Sequence, residues 1–123
     1  MDGMPETVPA GASLVLAVLL ALMGLGLLVA GRTGSTGRLR RNGLVGIRTG
    51  RSMESDESWR TVHRTAAPWL YAAGGTPLAA AVAVLFVRQP VAFLAVVLGS
   101  VALLLVFLCL GVWRGTRALP PRA

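Results

Sequence analysis

Three stretches decide the fold: GASLVLAVLLALMGLGLLVAG (Gly11–Gly31), AAPWLYAAGGTPLAAAVAVLFV (Ala66–Val87) and VAFLAVVLGSVALLLVFLCLGVW (Val91–Trp113). None contains Asp, Glu, Lys, Arg or His. A helix needs roughly 20 apolar residues to cross a hydrocarbon core of about 30 Å, and each stretch is that long. Backbone groups in lipid must be paired within the protein, so a spanning segment is a helix or part of a closed barrel. Barrel strands alternate polar and apolar residues. Leu14 to Leu20 is apolar all round, which selects helices. The expectation is an all-α integral membrane protein with three transmembrane helices, at about 11–31, 66–87 and 91–113. Residues 1–10 are read as a poorly ordered extracytoplasmic tail, 11–113 as the membrane domain, and 114–123 as a cytoplasmic tail.

Composition agrees. The 123 residues are 54% hydrophobic, with a mean hydropathy of +0.69. The formal charge is +7, and all 12 basic residues are arginine. In a membrane chain such charge records orientation and contact with anionic head groups, so no direct nucleic-acid partner is expected. Cys109 is the single cysteine and lies within the third stretch. The residues before the first stretch are acidic and the stretch exceeds a usual signal-peptide core, so it is read as a retained helix.

Arginine is distributed unevenly. The segment 32–65 holds Arg32, Arg38, Arg40, Arg41, Arg48, Arg51, Arg60 and Arg64, and the C-terminal tail adds Arg114, Arg117 and Arg122. The connection between the second and third stretches holds Arg88 alone. The positive-inside rule then puts the N-terminus outside and the loop 32–65 and the C-terminus in the cytoplasm of a bacterial plasma membrane.

The loop opens with a flexible Thr33-Gly34-Ser35-Thr36-Gly37 run. Glycines and β-branched residues keep Asn42 to Gly50 out of a helix. From Ser52 to Thr65 a short interfacial helix is expected, capped by Ser52 or Ser55 and leading into the second span. Trp59, Val62, His63 and Ala66 recur at helical spacing and mark one face. Pro68 is expected to break or bend the helix at the membrane surface, and Pro77 to kink the span. Trp69 and Tyr71 suit an interfacial aromatic belt. Arg88-Gln89-Pro90 reads as a very short turn, with Pro90 opening the third helix.

The stretches hold no ionisable group, which argues against coupled transport. No metalloprotease, nucleophile-elbow or Walker motif is present, and His63 is the sole histidine. No catalytic residue, metal or cofactor is assigned. What remains is a constellation: Asn42, Gly46, Arg48, Thr49, Trp59 and His63. One reading is a cytoplasm-facing pocket in which Arg48 binds an anion, Asn42 and Thr49 add hydrogen bonds and His63 supplies a titratable donor. The other is structural: glycines permit tight turns, Arg48 pairs with Glu57 or a helix C-terminus, and Trp59 packs beside His63. Arg48→Ala is expected to lower protein abundance, and His63→Ala to lower activity alone.

The run Asn42-Gly-Leu-Val-Gly46-Ile47-Arg48-Thr49, followed by Trp59-x-x-x-His63, resembles the signature of the SdpI-like family of bacterial membrane proteins. The resemblance covers about residues 12–113 and corresponds to the signature half of a fuller immunity protein. Family members often carry Pro-Trp after the Thr, where this chain has Gly50-Arg51. The resemblance implies a non-catalytic role in toxin resistance, immunity or membrane signalling, with a peptide toxin or a cytoplasmic transcriptional regulator as partner, and allows a homo-oligomer. An accessory or assembly subunit of a larger membrane complex is the alternative, and an enzyme acting on lipid head groups is third.

Overall fold

The computed structural model describes residues 7–121. It is all-helical, with α1 at Ala10–Ser35, α2 at Asp56–Ala83 and α3 at Pro90–Arg117. The helices run up, down and up. Helix α2 is the middle one: α1 and α3 both pack along it, and no close backbone approach joins α1 to α3 among the described residues. Helices α1 and α3 are long and apolar enough to cross a membrane. Helix α2 falls short of that apolarity because its first turns are charged and its remainder is rich in Ala, Gly and Pro.

Small residues set the helix spacing. A Cβ added to Gly24 would lie 2.6 Å from the Gly74 carbonyl oxygen, and one added to Gly74 would lie 2.7 Å from that of Gly24. On the other side of α2, a Cβ on Gly115 would meet the Val62 carbonyl oxygen at 2.7 Å. Such close backbone approach favours dispersion contacts where lipid removes the hydrophobic drive to associate. At the end of the bundle that holds the α2–α3 turn, Leu20, Ala81, Val84 and Phe93 form an apolar cluster.

Several expectations are corrected. Instead of a separate interfacial helix followed by a span, one helix runs from Asp56 to Ala83. Pro68 and Pro77 both lie inside it without breaking it. Each removes a backbone donor. Contacts on both sides of α2 hold the helix together there, with Ala66, Ala67, Leu70 and Ala73 buried around the prolines. Helix α1 continues through Thr33, Gly34 and Ser35, which the composition had placed in a flexible run. The Thr33 hydroxyl bonds the Val29 carbonyl at 2.8 Å, one turn back in the same helix.

The α2–α3 connection is Val84–Gln89, longer than the expected turn because α2 stops at Ala83 rather than near residue 87. Gln89 is extended, as a residue before proline prefers. Its side chain caps α3 by accepting the Ala92 N–H at 2.6 Å, and Pro90 opens the helix as expected. Helix α3 runs on past Trp113 to Arg117, so the first residues of the predicted tail are helical. At the other end of the chain Val8 is buried and its N–H donates to the Arg88 carbonyl at 2.9 Å. That part of the predicted poorly ordered tail is fixed, while Asp2 and Glu6 lie outside the described residues, as does Arg122.

Candidate functional site

The loop Thr36–Ser55 is folded onto the first turns of α2 by the residues that the sequence singled out. Ser55 caps α2 by accepting the Ser58 N–H at 3.0 Å. Asp56 and Glu57 follow in the first turn, where carboxylates favour the positive end of the helix dipole. The expected face is realised: Trp59, Val62, His63 and Ala66 are all buried.

His63 is the centre of the arrangement. Its Nδ1 lies 2.8 Å from the Trp59 carbonyl oxygen, one turn back, and its Nε2 accepts the Ile47 N–H at 2.9 Å. A carbonyl can only accept, so the network assigns the proton to Nδ1 and leaves Nε2 bare. The ring is neutral in this arrangement. Burial lowers its pKa from the ordinary 6.5, and the bond to Trp59 opposes that shift. The Trp59 and His63 rings lie 4.2 Å apart between centroids. Trp59 Nε1 donates to the Leu39 carbonyl at 2.8 Å and holds the opposite arm of the loop.

Two glycines make room for this histidine. Gly46 has φ +110°, a conformation that L side chains rarely adopt, and a Cβ there would lie 2.6 Å from His63 Nε2. A Cβ on Gly34, in the last turn of α1, would lie 2.9 Å from the Cβ of His63.

The polar signature residues bond locally. Asn42 Oδ1 accepts the Leu44 and Val45 N–H groups at 2.8 and 2.7 Å, and Asn42 Nδ2 donates to the Arg40 carbonyl at 2.7 Å. This is an Asx-type turn made by the side chain itself. Thr49 and Ser52 bond reciprocally: Thr49 N–H donates to Ser52 Oγ at 2.9 Å and Ser52 N–H to Thr49 Oγ1 at 3.1 Å. Ser52 Oγ also donates to the Ile47 carbonyl at 2.7 Å. Arg48 bonds the Gly43 carbonyl across the loop instead of the expected Glu57 or a helix C-terminus. Asn42, Gly46, Arg48, Thr49, Trp59 and His63 therefore sit in one loop-and-helix unit. Their side chains are largely engaged in shaping it, and Arg48 remains exposed.

Two residues matter more than the sequence suggested. Ser52, read only as a helix cap, is fully buried and joins Ile47 to Thr49. Leu119, in the C-terminal tail, packs with Ile47 and Val62. Arg51 ties the loop to the same tail through the Pro120 carbonyl. The Ser52 role had a signal in the Thr-x-x-Ser spacing; the tail contact had none.

Two cavities flank the unit. A polar cleft of about 470 Å³ is lined by Arg40, Arg41, Arg60, Asp56 and Trp59. Its one carboxylate, Asp56, pairs with Arg41 at 3.3 Å, so the cleft is net cationic. The other cavity, also about 470 Å³, is mainly apolar and lies under Gly46, Ile47 and His63. Near the same end of the bundle, the Arg114 and Arg117 guanidinium carbons lie 5.2 and 5.0 Å from the Trp113 ring centroid.

The fold is all-helical, with two helices long and apolar enough to cross a membrane and a cationic loop after the first. Residues 38–110 match the SdpI/YfhL protein family, and the chain belongs to that family. The match contains the whole signature from Asn42 to His63. No curated protein and no solved structure matches the chain. Family membership and the two apolar helices together point to a membrane protein.

Proposed function

We propose that this chain is a non-catalytic, multi-pass protein of the bacterial plasma membrane that acts in toxin resistance or membrane signalling. It does so by binding a peptide or a cytoplasmic regulator on its loop face. In this reading α2 crosses the bilayer with α1 and α3, the N-terminus is outside, and the loop and C-terminus are cytoplasmic. Eleven arginines on the loop side against Arg88 on the other support the orientation.

The observation that carries the reading is the division of labour in the loop. The signature residues Asn42, Gly46, Thr49, Trp59 and His63 serve the loop's shape. The cleft beside them gathers the guanidinium-bearing residues Arg40, Arg41 and Arg60 around a single acid. A held loop with a cationic cleft suits recognition of an acidic segment, because fixed charge complementarity sets partner and register.

The test is expression in a bacterium sensitive to a secreted membrane-active peptide, with survival and membrane abundance read together. The Arg40→Gln, Arg60→Gln double variant is expected to lose protection at unchanged abundance. Full protection by that variant would overturn the assignment of binding to this face.

A further inference from the structure

The apolar cavity is a groove between α1 and α3. Leu22, Gly26 and Ala30 of α1 line one wall, Leu108 of α3 the other, and Leu70 of α2 the floor. The loop closes its end with Gly46, Ile47 and His63. From Leu22 to Ala30 the groove follows eight residues of helix, about 12 Å at the α-helical rise. Because α1 and α3 do not approach each other closely, the groove opens sideways between them.

The tip of the loop has a matching character. Leu44 is 87% exposed and Val45 52% exposed, and both also line the groove. Two neighbouring exposed aliphatic residues beside helices that suit a membrane belong in lipid, not in water. Arg48 follows the groove's roof by one residue. It is exposed, and among the described residues its Nη1 alone is committed, to the Gly43 carbonyl. A guanidinium carries five donors in a planar fork that matches phosphate.

We propose that this groove is a phospholipid site: one acyl chain lies along Leu22, Gly26 and Ala30, and the phosphate of an anionic head group meets Arg48. The occupant is lipid because the groove opens laterally beside two membrane-suited helices and carries its positive charge at the head-group end. The site reaches the signature directly, since the head-group end of the acyl chain would pack against Gly46, Ile47 and His63. Lipid occupancy would therefore brace the loop that presents the cationic cleft. The inference rests on the membrane-spanning reading above.

Gly26 supplies the test. It lines the groove, and an added Cβ there meets nothing within 4 Å, so Gly26→Leu fills the groove without disturbing the helix packing. Gly75→Leu, at an exposed glycine equally free of neighbours, is the control. The purified protein is labelled with phosphatidylglycerol or phosphatidylcholine carrying a photoreactive acyl chain, and the sites of attachment are mapped by mass spectrometry.

The expected result is attachment within 22–30, 44–47 and at Leu108, stronger for phosphatidylglycerol. Gly26→Leu should lower it at least about fivefold, the effect of roughly 1 kcal/mol of overpacking, while Gly75→Leu leaves it unchanged. Arg48→Gln should remove the head-group preference and keep the chain attachment. Attachment spread over the outer faces of α1 and α3 and indifferent to Gly26→Leu would overturn the site. So would equal labelling by the two lipids in the wild-type protein, or cross-links from the groove to a second copy. Carbonate extraction of membranes reports separately on the spanning reading: a retained protein with no groove labelling sinks the lipid site alone.

Discussion

His63 Nε2 accepts the backbone N–H of Ile47 at 2.9 Å, so a titratable ring on α2 holds the middle of the signature loop. A protonated ring would turn that acceptor into a donor facing a donor. Burial lowers the His63 pKa below its ordinary 6.5, so the unfolded chain takes up the proton first as the pH falls. The stability from this bond is complete above about pH 6.5 and is lost as the pH falls through the lowered value. Thermal melting in detergent is expected to show a lower Tm at pH 5 than at pH 7.5. His63→Gln, which keeps an acceptor and does not titrate, should flatten that slope. An equal slope in both proteins would show that the ring does not control it.

The loop's glycines differ sharply in what they tolerate. Gly46→Ala meets both an unfavourable φ and a contact of 2.6 Å with His63 Nε2. Backbone strain of this kind costs about 1–3 kcal/mol before the clash is counted. Gly43→Ala meets nothing within 4 Å. Membrane abundance is expected to fall for Gly46→Ala and to stay at the wild-type level for Gly43→Ala. Equal abundance in the two would contradict the packing of Gly46 against the ring.

The helical parts of this chain were legible because they rest on local patterns. Uninterrupted apolar residues gave α1 and α3, and the Trp59, Val62, His63, Ala66 spacing gave the buried face of α2. The errors came where packing overrides local preference. Helix α2 runs unbroken from Asp56 through Pro68 and Pro77, and α1 runs on through Gly34, whose missing side chain leaves room for His63. The family was legible in the signature, yet what each residue touches was not. Nothing in the sequence pairs Arg48 with Gly43, or brings Leu119 against Ile47, since both depend on how the loop folds back.

Ser52 is expected to be the most sensitive serine of the loop. Its hydroxyl accepts from Thr49 N–H and donates to the Ile47 carbonyl in a fully buried position. Ser52→Ala leaves those buried groups unpaired, at about 1–3 kcal/mol. Ser55→Ala removes the α2 cap and a part-buried bond to the Ser58 hydroxyl, at about 1 kcal/mol. Hydrogen exchange should show the Thr49 amide, which donates to Ser52 Oγ, opening faster in Ser52→Ala than in Ser55→Ala. The reverse order would remove Ser52 from the centre of the turn.

Orientation is checked by labelling cysteines in a Cys109→Ala background. Cysteines at Ser35 and Ala123 are expected to react with a membrane-impermeant reagent only after permeabilisation, and one at Asp2 in intact cells. The 11-to-1 arginine asymmetry drives that expectation. Ready reaction at Ser35 in intact cells would reverse the assignment.

Arg48 and His63 should separate when phenotype and membrane abundance are measured together, in the opposite order to the one the sequence suggested. His63 is buried, with both ring nitrogens engaged. His63→Ala leaves the Ile47 N–H unpaired and opens a hole beneath Trp59, a loss of about 2–4 kcal/mol. Abundance is expected to fall. Arg48 is exposed and bonds one backbone carbonyl, that of Gly43, at the surface, so Arg48→Ala should leave abundance near wild type. Any loss of protection in Arg48→Ala then reports contact with a ligand, and Arg48→Lys should rescue it poorly, because an ammonium lacks the planar fork that a phosphate or carboxylate accepts. A collapse of abundance in Arg48→Ala, with normal levels in His63→Ala, would show that the loop is held by the arginine instead of the histidine.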